Sequence, residues 1–454
     1  MTIKSINPAD GNTLKLVDAF SSSQLEEALA QSARAVVTWR SQTIGARAAL
    51  METVATVIRS RSEELARIIT LEMGKPVSEA RAEIEKCAWV CEYYAQEGPG
   101  FMADEIIASD AGRSLVSWEP LGAVLAIMPW NFPFWQVFRF AAPALVAGNT
   151  GLLKHASSVP QCALAIESIF SEAGVPPGVF RTLLIPSSMM SDVISDARVQ
   201  AVTLTGSEAA GRLVAANAGA HIKKTVLELG GSDAFIVLAD ADLDLAVENA
   251  ITSRFLNCGQ SCIAAKRIIL VADIADEFVR RFRQGVEALV MGDPLDERTQ
   301  LGPLARRDLR DELHRQVVDS LAAGAVAVTG CSPEGGPGFY YQASILDHVQ
   351  PGMRAYGEEL FGPVASVIRA DDEADAVRIA NDSRFGLGGS VWTRDSARGE
   401  RVARQLECGC AFVNGMVKSD PRLPFGGIKH SGYGRELARL GMHEFVNAKT
   451  IWIR

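Results

Sequence analysis

The chain has 454 residues. A single hydrophobic core stops growing near about 250–300 residues, so two or more domains are expected. The composition, 48% hydrophobic and 22% charged, is that of an ordinary globular protein. The net charge of −9, with Lys and Arg spread along the chain, argues against a nucleic-acid or anionic-membrane surface.

The opening MTIKSINPADG has no apolar h-region, and no run of about 18 apolar residues follows. Neither a secretory signal nor a membrane span is expected. The N-terminal part reads as helices. Ser23-Gln-Leu-Glu26 has capping-box spacing ahead of apolar residues at helical period, and amphipathic stretches follow at 45–72 and 76–96. SLVSWEPLG, at 114–122, reads as an edge strand. Short apolar runs of strand length come next: LGAVLAIMP, TGLLKH, VFRTLLI, QAVTLTG, KTVLEL and AFIVL. Helix-like segments near 159–173 and 207–219 separate them, so βαβ units and a parallel sheet are expected. The alternation resumes through a helix near 242–256, the strand KRIILV and a helix near 275–291, predicting a second α/β domain. The tail ends in the alternating strand NAKTIWIR. It could pair with 114–122 in a small extra sheet whose edge another subunit covers.

Eight cysteines, Cys87, Cys91, Cys162, Cys258, Cys262, Cys331, Cys408 and Cys410, lack the repeated pairs of a disulfide framework or zinc site. A reducing cytoplasm and no metal are expected. Cys408-Gly-Cys410 reads either as a redox or metal pair or as small residues on a packed strand. Cys262 ends Phe255-Leu-Asn-Cys-Gly-Gln-Ser-Cys262, where Gly259 allows a sharp or close-approach backbone just before the thiol. Composition alone leaves two readings open: an inert buried thiol or an activated nucleophile. Glu228 taken by itself reads as a solvated glutamate ending a strand.

Five motifs decide between these readings. The FxNxGQxC segment at 255–262 resembles the active-site cysteine signature of the aldehyde dehydrogenase superfamily. Leu227-Glu-Leu-Gly-Gly231 resembles its glutamate signature, and Pro129-Trp-Asn-Phe-Pro133 its asparagine motif. Glu358-Glu-Leu-Phe-Gly-Pro363 and Pro424-Phe-Gly-Gly-Ile-Lys-His-Ser-Gly432 are also family-like, in the family's order across nearly the whole chain. The resemblance implies a Rossmann-like NAD(P)-binding domain at 1–105 and 122–230 and an α/β catalytic domain at 231–430. It also implies a small β oligomerisation element at 106–121 and 431–454, in a homodimer or homotetramer.

The resemblance further implies roles. Cys262 attacks the aldehyde, the Asn131 amide and the Cys262 N–H receive the oxyanion, and Glu228 activates water to hydrolyse the thioester. Family members that acylate coenzyme A commonly lack a glutamate at the position of Glu228. For the cofactor, NADP or NAD, the carried-over residues are Trp130, Lys154, Thr205, Gly206, Ser207, Glu359 and Phe361. Ser157 stands where the family commonly has a glutamate that repels a 2′-phosphate, so NADP is tolerated and NADP preference is open. The loop Pro186-Ser-Ser-Met-Met-Ser191 replaces a usual glycine-bearing loop.

MPWNFPFWQVFR, LLKHA, VMGDP, RRDLRDELHRQV and SDPRLPFGGIKHSGYGREL resemble bacterial succinate-semialdehyde dehydrogenases within the family, with other short or ω-carboxylated aldehydes such as glutarate semialdehyde as alternatives. A non-catalytic binding or structural protein on the same fold is the reading from another class. Arg139 matches a substrate-carboxylate arginine of that subfamily. Leu256 occupies the place of a second arginine, for which Arg422 or Ser431 could substitute. Cys258, four residues before Cys262, is a possible disulfide partner that would switch the enzyme off under oxidation.

Overall fold

A computed structural model describes residues 2–454. It opens not on a helix but on an antiparallel hairpin, Thr2–Ile6 with Thr13–Asp18. TLKLVD is mostly exposed, so it carries no apolar pattern to announce a strand. The connecting turn holds it, with Gly11 at φ +75° donating its N–H to the Asn7 carbonyl. The first helix, Ser22–Arg40, is capped two residues earlier than Ser23-Gln-Leu-Glu26 suggests. Ser21 Oγ accepts from the Gln24 N–H, and the Gln24 side chain accepts from the Ser21 N–H.

The helical stretch at 45–72 is two helices, Ile44–Ser60 and Ser62–Met73. The break falls at Ser60-Arg-Ser62, where the Ser60 hydroxyl bonds back to the Val57 carbonyl and competes with the helix ladder. The long helix Val77–Phe101 follows and packs on the helix Ile44–Ser60.

Three sheets organise the rest. The first has parallel strands in the order Phe180–Thr182, Thr150–His155, Ala123–Met128, Val199–Thr205 and Lys224–Glu228. Gly432–Tyr433 adds antiparallel beside Glu228. Its inner strands are buried on both faces, which explains why AVLAIM and TGLLKH read as continuous apolar runs instead of alternating ones. The second sheet runs Val326–Thr329, Ser344–Asp347, Val364–Ala370, Arg267–Val271, Ala234–Val237, Gly388–Trp392 and Cys410–Val413, parallel except at its first pair. Its core includes the stacked rings of Phe235 and Trp392, 4.9 Å apart.

The third sheet joins Glu105–Ile106, Arg113–Pro120 and the tail strand Val446–Ile453, all antiparallel. The two strands isolated in sequence do pair, with Ala448 opposite Trp118. Ile106 and Trp452 remain more than half exposed on it. No helix among the described residues is long and apolar enough to cross a membrane.

In parallel α/β sheets the useful crevice lies beyond the carboxyl ends of the strands, because the chain turns there and helix N-termini face outward. In the first sheet those ends are Met128, His155, Thr205 and Glu228, and the loop ending in Cys262 sits against them.

Candidate active site

Cys262 is presented by an unusual turn. The helix Leu243–Phe255 ends, and Asn257, Cys258 and Gly259 take left-handed φ values of +53°, +54° and +70° in succession. A Cβ at Gly259 would run into the Gly362 carbonyl, so this position requires glycine for both its torsion and its close approach. Two asparagines tie the turn to the first sheet. The Asn257 amide donates to the Asn131 and Gln260 carbonyls at 2.8 and 3.1 Å, and the Asn131 amide donates to the Gln260 carbonyl at 3.0 Å. Gln136 in turn donates to Asn131 Oδ1 at 3.2 Å, which fixes the orientation of that amide. Asn131 and the Cys262 turn thus form one hydrogen-bonded unit.

His155, in the Lys154-His-Ala-Ser157 segment, has a role that sequence alone does not suggest. Its Nε2 lies 2.8 Å from the Pro133 carbonyl and its Nδ1 accepts from the Ala156 N–H at 2.9 Å, which defines a neutral Nε2–H tautomer. Burial pushes its pKa down to about 4. The imidazole therefore braces the Pro129–Pro133 loop without carrying charge.

Cys262 opens onto a cavity of about 200 Å³ together with Phe132, Trp135, Gln136, Leu256 and Phe425. The residue is partly accessible, but protein surrounds the sulfur and burial pushes the thiol up to about 12. Lys266 is the largest of the charges that oppose this. It is fully buried and donates to the Ser261 and Cys262 carbonyls at 2.7 and 2.8 Å, and it pairs with Glu359 at 3.1 Å. Glu359 also accepts from the Gly231 N–H at 3.1 Å. Phe361, two residues on, meets Trp130 edge to face at 5.8 Å. Lys266 thus links the nucleophile turn to the 358–363 motif. A lysine four residues after the cysteine was visible in the sequence, but its partners come from other elements.

Glu228 ends its strand buried, with neither carboxylate oxygen hydrogen-bonded among the described residues. It does not line the Cys262 cavity, and the Gly426 backbone closes over it. Burial, then the neighbouring Glu436 carboxylate, holds its pKa well above the usual range, with Arg139 as the largest opposing influence.

The second cleft, of about 790 Å³, lies between the sheets. Lys154, Ser157, Pro186 and Ser187 line it from the first sheet and Arg306 from the opposite side, and the N-terminal hairpin adds Lys4. That last contribution was not readable, because the hairpin was not. Lys154 is buried and pairs with no carboxylate among the described residues, a costly state unless an anion comes to it. Thr205 and Gly206 precede the helix Glu208–Ala220, which Ser207 caps by accepting from the Ala210 N–H. The Ser207 hydroxyl is thereby occupied, which leaves the backbone of the turn for a ligand.

Arg139 lines the cavity, with its Nε ion-paired to Glu436 and its guanidinium over the Phe425 ring at 4.9 Å. Three expectations are corrected. Arg422 is outside the cavity on an exposed turn, where Asp420 two residues earlier takes it at 2.7 Å and Trp89 stacks beneath it. Ser431 is fully buried and both its hydrogen-bonding roles are used: it donates to the Gly230 carbonyl at 2.6 Å and accepts from the Gly386 N–H at 3.0 Å. Cys258 packs in the core of the second sheet with its thiol on the Gly302 carbonyl at 3.2 Å, whereas Cys262 faces the cavity, and both thiols are free. The left-handed turn sends the two sulfurs to opposite sides.

Comparison with known proteins agrees with this architecture. The model of the aldehyde dehydrogenase family matches residues 1–451. A probable succinate-semialdehyde dehydrogenase [NADP(+)] of Synechocystis sp. is 50% identical, over all of both chains. A succinate semialdehyde dehydrogenase [NAD(P)+] of Escherichia coli strain K12 is 48% identical over 99% of this chain and 97% of its own. Among solved structures, Gox0499 superposes with a TM-score of 0.99 at 39% identity over both full chains. The succinic semialdehyde dehydrogenase of Streptococcus pyogenes with NADP+ superposes with a TM-score of 0.98 at 36% identity over 99% of each chain. The chain belongs to the aldehyde dehydrogenase family.

Proposed function

We propose that this protein oxidises succinate semialdehyde to its acid with NADP or NAD. The observation that carries the reading is one hydrogen-bonded unit joining Asn131 to the Cys262 turn, at the mouth of a cavity sized for a short aldehyde. Relatives near half identity over their whole length act on that substrate by name.

The Cys262 thiol gives up its proton to solvent, the thiolate attacks the aldehyde carbon, and the carbonyl oxygen becomes an oxyanion received by the Asn131 amide and the Cys262 N–H. A dinucleotide held by Lys154, Glu359 and Phe361 would supply the hydride acceptor needed to reach the thioester. Glu228 then takes a proton from water, the hydroxide adds to the thioester carbon, and the thiolate of Cys262 leaves with the acid released. Glu228 rests outside the cavity, beside the Gly426 backbone, where burial and then the Glu436 carboxylate raise its pKa and so favour a base that holds the proton it takes.

The residues fit the dinucleotide. Lys154, a buried cation without a carboxylate partner among the described residues, suits a ribose or 2′-phosphate, and neutral Ser157 beside it raises no repulsion against that phosphate. Glu359 and Phe361 are suited to the nicotinamide end, next to Cys262. Self-association as a dimer or tetramer would cover Ile106 and Trp452 on the third sheet.

The test is steady-state turnover at 340 nm with each cofactor and a series of aldehydes that includes succinate and glutarate semialdehydes. A kcat/KM highest for the four-carbon semialdehyde supports the reading. Turnover of no aldehyde would mean a non-catalytic member of the family.

A further inference from the structure

One face of the helix Val77–Phe101 carries Glu79 and Glu83 four residues apart, and the two side chains reach different loops of the active site. Glu83 Oε1 accepts the Phe134 and Trp135 N–H groups at 2.9 and 3.0 Å, at the start of the helix Trp135–Ala147 that follows Asn131. Its other oxygen pairs with Lys75. Glu79 Oε2 accepts the Asn257 N–H at 2.7 Å, in the turn that presents Cys262. Glu79 belongs to none of the five motifs.

Asn257 is a costly residue to place. It and Cys258 adopt left-handed torsions that side chains rarely take, and such residues persist only where their surroundings over-determine them. The Asn257 side-chain amide is held by the Asn131 and Gln260 carbonyls, and Glu79 holds the backbone N–H. An ionised carboxyl makes that bond charge-assisted and roughly twice as strong as a neutral one. Glu79 forms no ion pair among the described residues, since Lys75, the cation that acts on it most, is taken by Glu83.

We infer that Glu79 is a positioning residue for Cys262: its carboxylate, by holding the Asn257 N–H, keeps the left-handed turn that aims the thiol into the cavity. The inference rests on the aldehyde-oxidising reading above and deepens it. Its action is geometric. The charges that act most on the Cys262 thiol are Lys266, Arg139, Glu359 and Asp233, and Glu79 is not one of them.

Glu79 lines the Cys262 cavity and a neighbouring one of about 220 Å³, with Leu256 beside it in each. Protein packs round the carboxyl, and burial raises its pKa to about 7, with Glu83 adding to the rise and the Asn257 N–H and Lys75 opposing it. The other titratable or charged groups around it are Cys258 on the turn, Lys86, Arg139 and Lys418 on the walls of the first cavity, and Glu297 on the wall of the second. Protonation turns a charged acceptor into a neutral one. The hold on Asn257 is therefore strongest above about 7 and weakens as pH falls through it.

The test follows the burst of reduced cofactor at 340 nm, which precedes the hydrolysis that Glu228 serves. In Glu79→Leu the burst rate should fall about tenfold or more, with KM within about twofold of the wild type. Glu79→Gln keeps a neutral acceptor of the same shape. Its burst rate should match the wild type near pH 6 and drop behind it by about threefold or more as pH rises through about 7. A Gln-to-wild-type ratio that stays constant over this range overturns the inference, and so does a wild-type burst rate in Glu79→Leu. Should Glu79→Leu not fold, amide exchange in the other two proteins still decides. Protection of the Asn257 N–H, read by deuterium exchange on the peptide spanning the turn, should be higher in the wild type than in Glu79→Gln above about pH 7 and equal near pH 6. Equal protection at every pH overturns the assignment. A wild type that gives no burst with any aldehyde refutes the aldehyde-oxidising reading itself, a separate failure that leaves the exchange comparison standing.

Discussion

Lys266 offers the sharpest test of how the nucleophile is supported. Its side chain is 1% exposed, and its ammonium binds the Ser261 carbonyl, the Cys262 carbonyl and Glu359 at 2.7, 2.8 and 3.1 Å. Lys266→Met keeps the stem but leaves two carbonyls and a carboxylate without their cation. Breaking a buried ion pair costs about 3–5 kcal/mol. Glu359 is 21% exposed, which places the loss near the lower end of that range. The thiol feels the change twice. Lys266 is the largest charge favouring the Cys262 thiolate, and Glu359 is the largest charge opposing it. Methionine removes the first and unmasks the second, so the thiol pKa rises, and each unit lowers the thiolate fraction about tenfold.

The assay is the pH dependence of Cys262 alkylation by iodoacetamide, read on the Cys262 peptide by mass spectrometry. Lys266→Met should react about tenfold or more slowly at mildly alkaline pH. The double variant Lys266→Met, Glu359→Gln should recover part of that loss, because the unmasked repulsion is gone. An alkylation profile identical to the wild type, or no recovery in the double variant, refutes the electrostatic link.

Other expectations follow from the same geometry. Gly259→Ala puts a Cβ on a left-handed residue and against the Gly362 carbonyl, so it should cost about 1–3 kcal/mol of stability and most of the activity, read by thermal unfolding and turnover. Glu436→Gln removes the charge that raises the Glu228 pKa and frees Arg139, which lowers it. The acidic limb of the kcat profile should therefore move to lower pH, and movement upward would exclude Glu228 as its source. Cys258→Ala should leave the rate of inactivation by peroxide as it is in the wild type, since the Cys258 thiol faces Gly302 and not Cys262. Protection of the variant would restore the disulfide switch.

The candidate catalytic set was legible because chemistry constrains residue type and local order together. Asn131, Glu228 and Cys262 each sit in a short motif whose neighbours serve the backbone, as Gly259 does by allowing the turn. Alternating strands and helices were equally legible, because burial on two faces writes continuous apolar runs. The N-terminal hairpin was not, because its second strand is mostly solvent-exposed and only a turn and its register hold it. The capping box was misplaced by two residues, because two serines compete at Ser21 and Ser23 and only the backbone torsions select one.

Substrate-facing charge was the least legible property, and the reason is physical. A cation's availability depends on which carboxylate lies near it, and those partners come from distant positions. Arg139 meets Glu436 and Lys266 meets Glu359. The sequence by itself determined the reaction type, since a thiol, an amide and a carboxyl in their motifs allow little else. Only the tertiary structure decided which cations were already neutralised, because electrostatic free energy depends on separation in space and on burial, and neither is encoded by spacing along the chain.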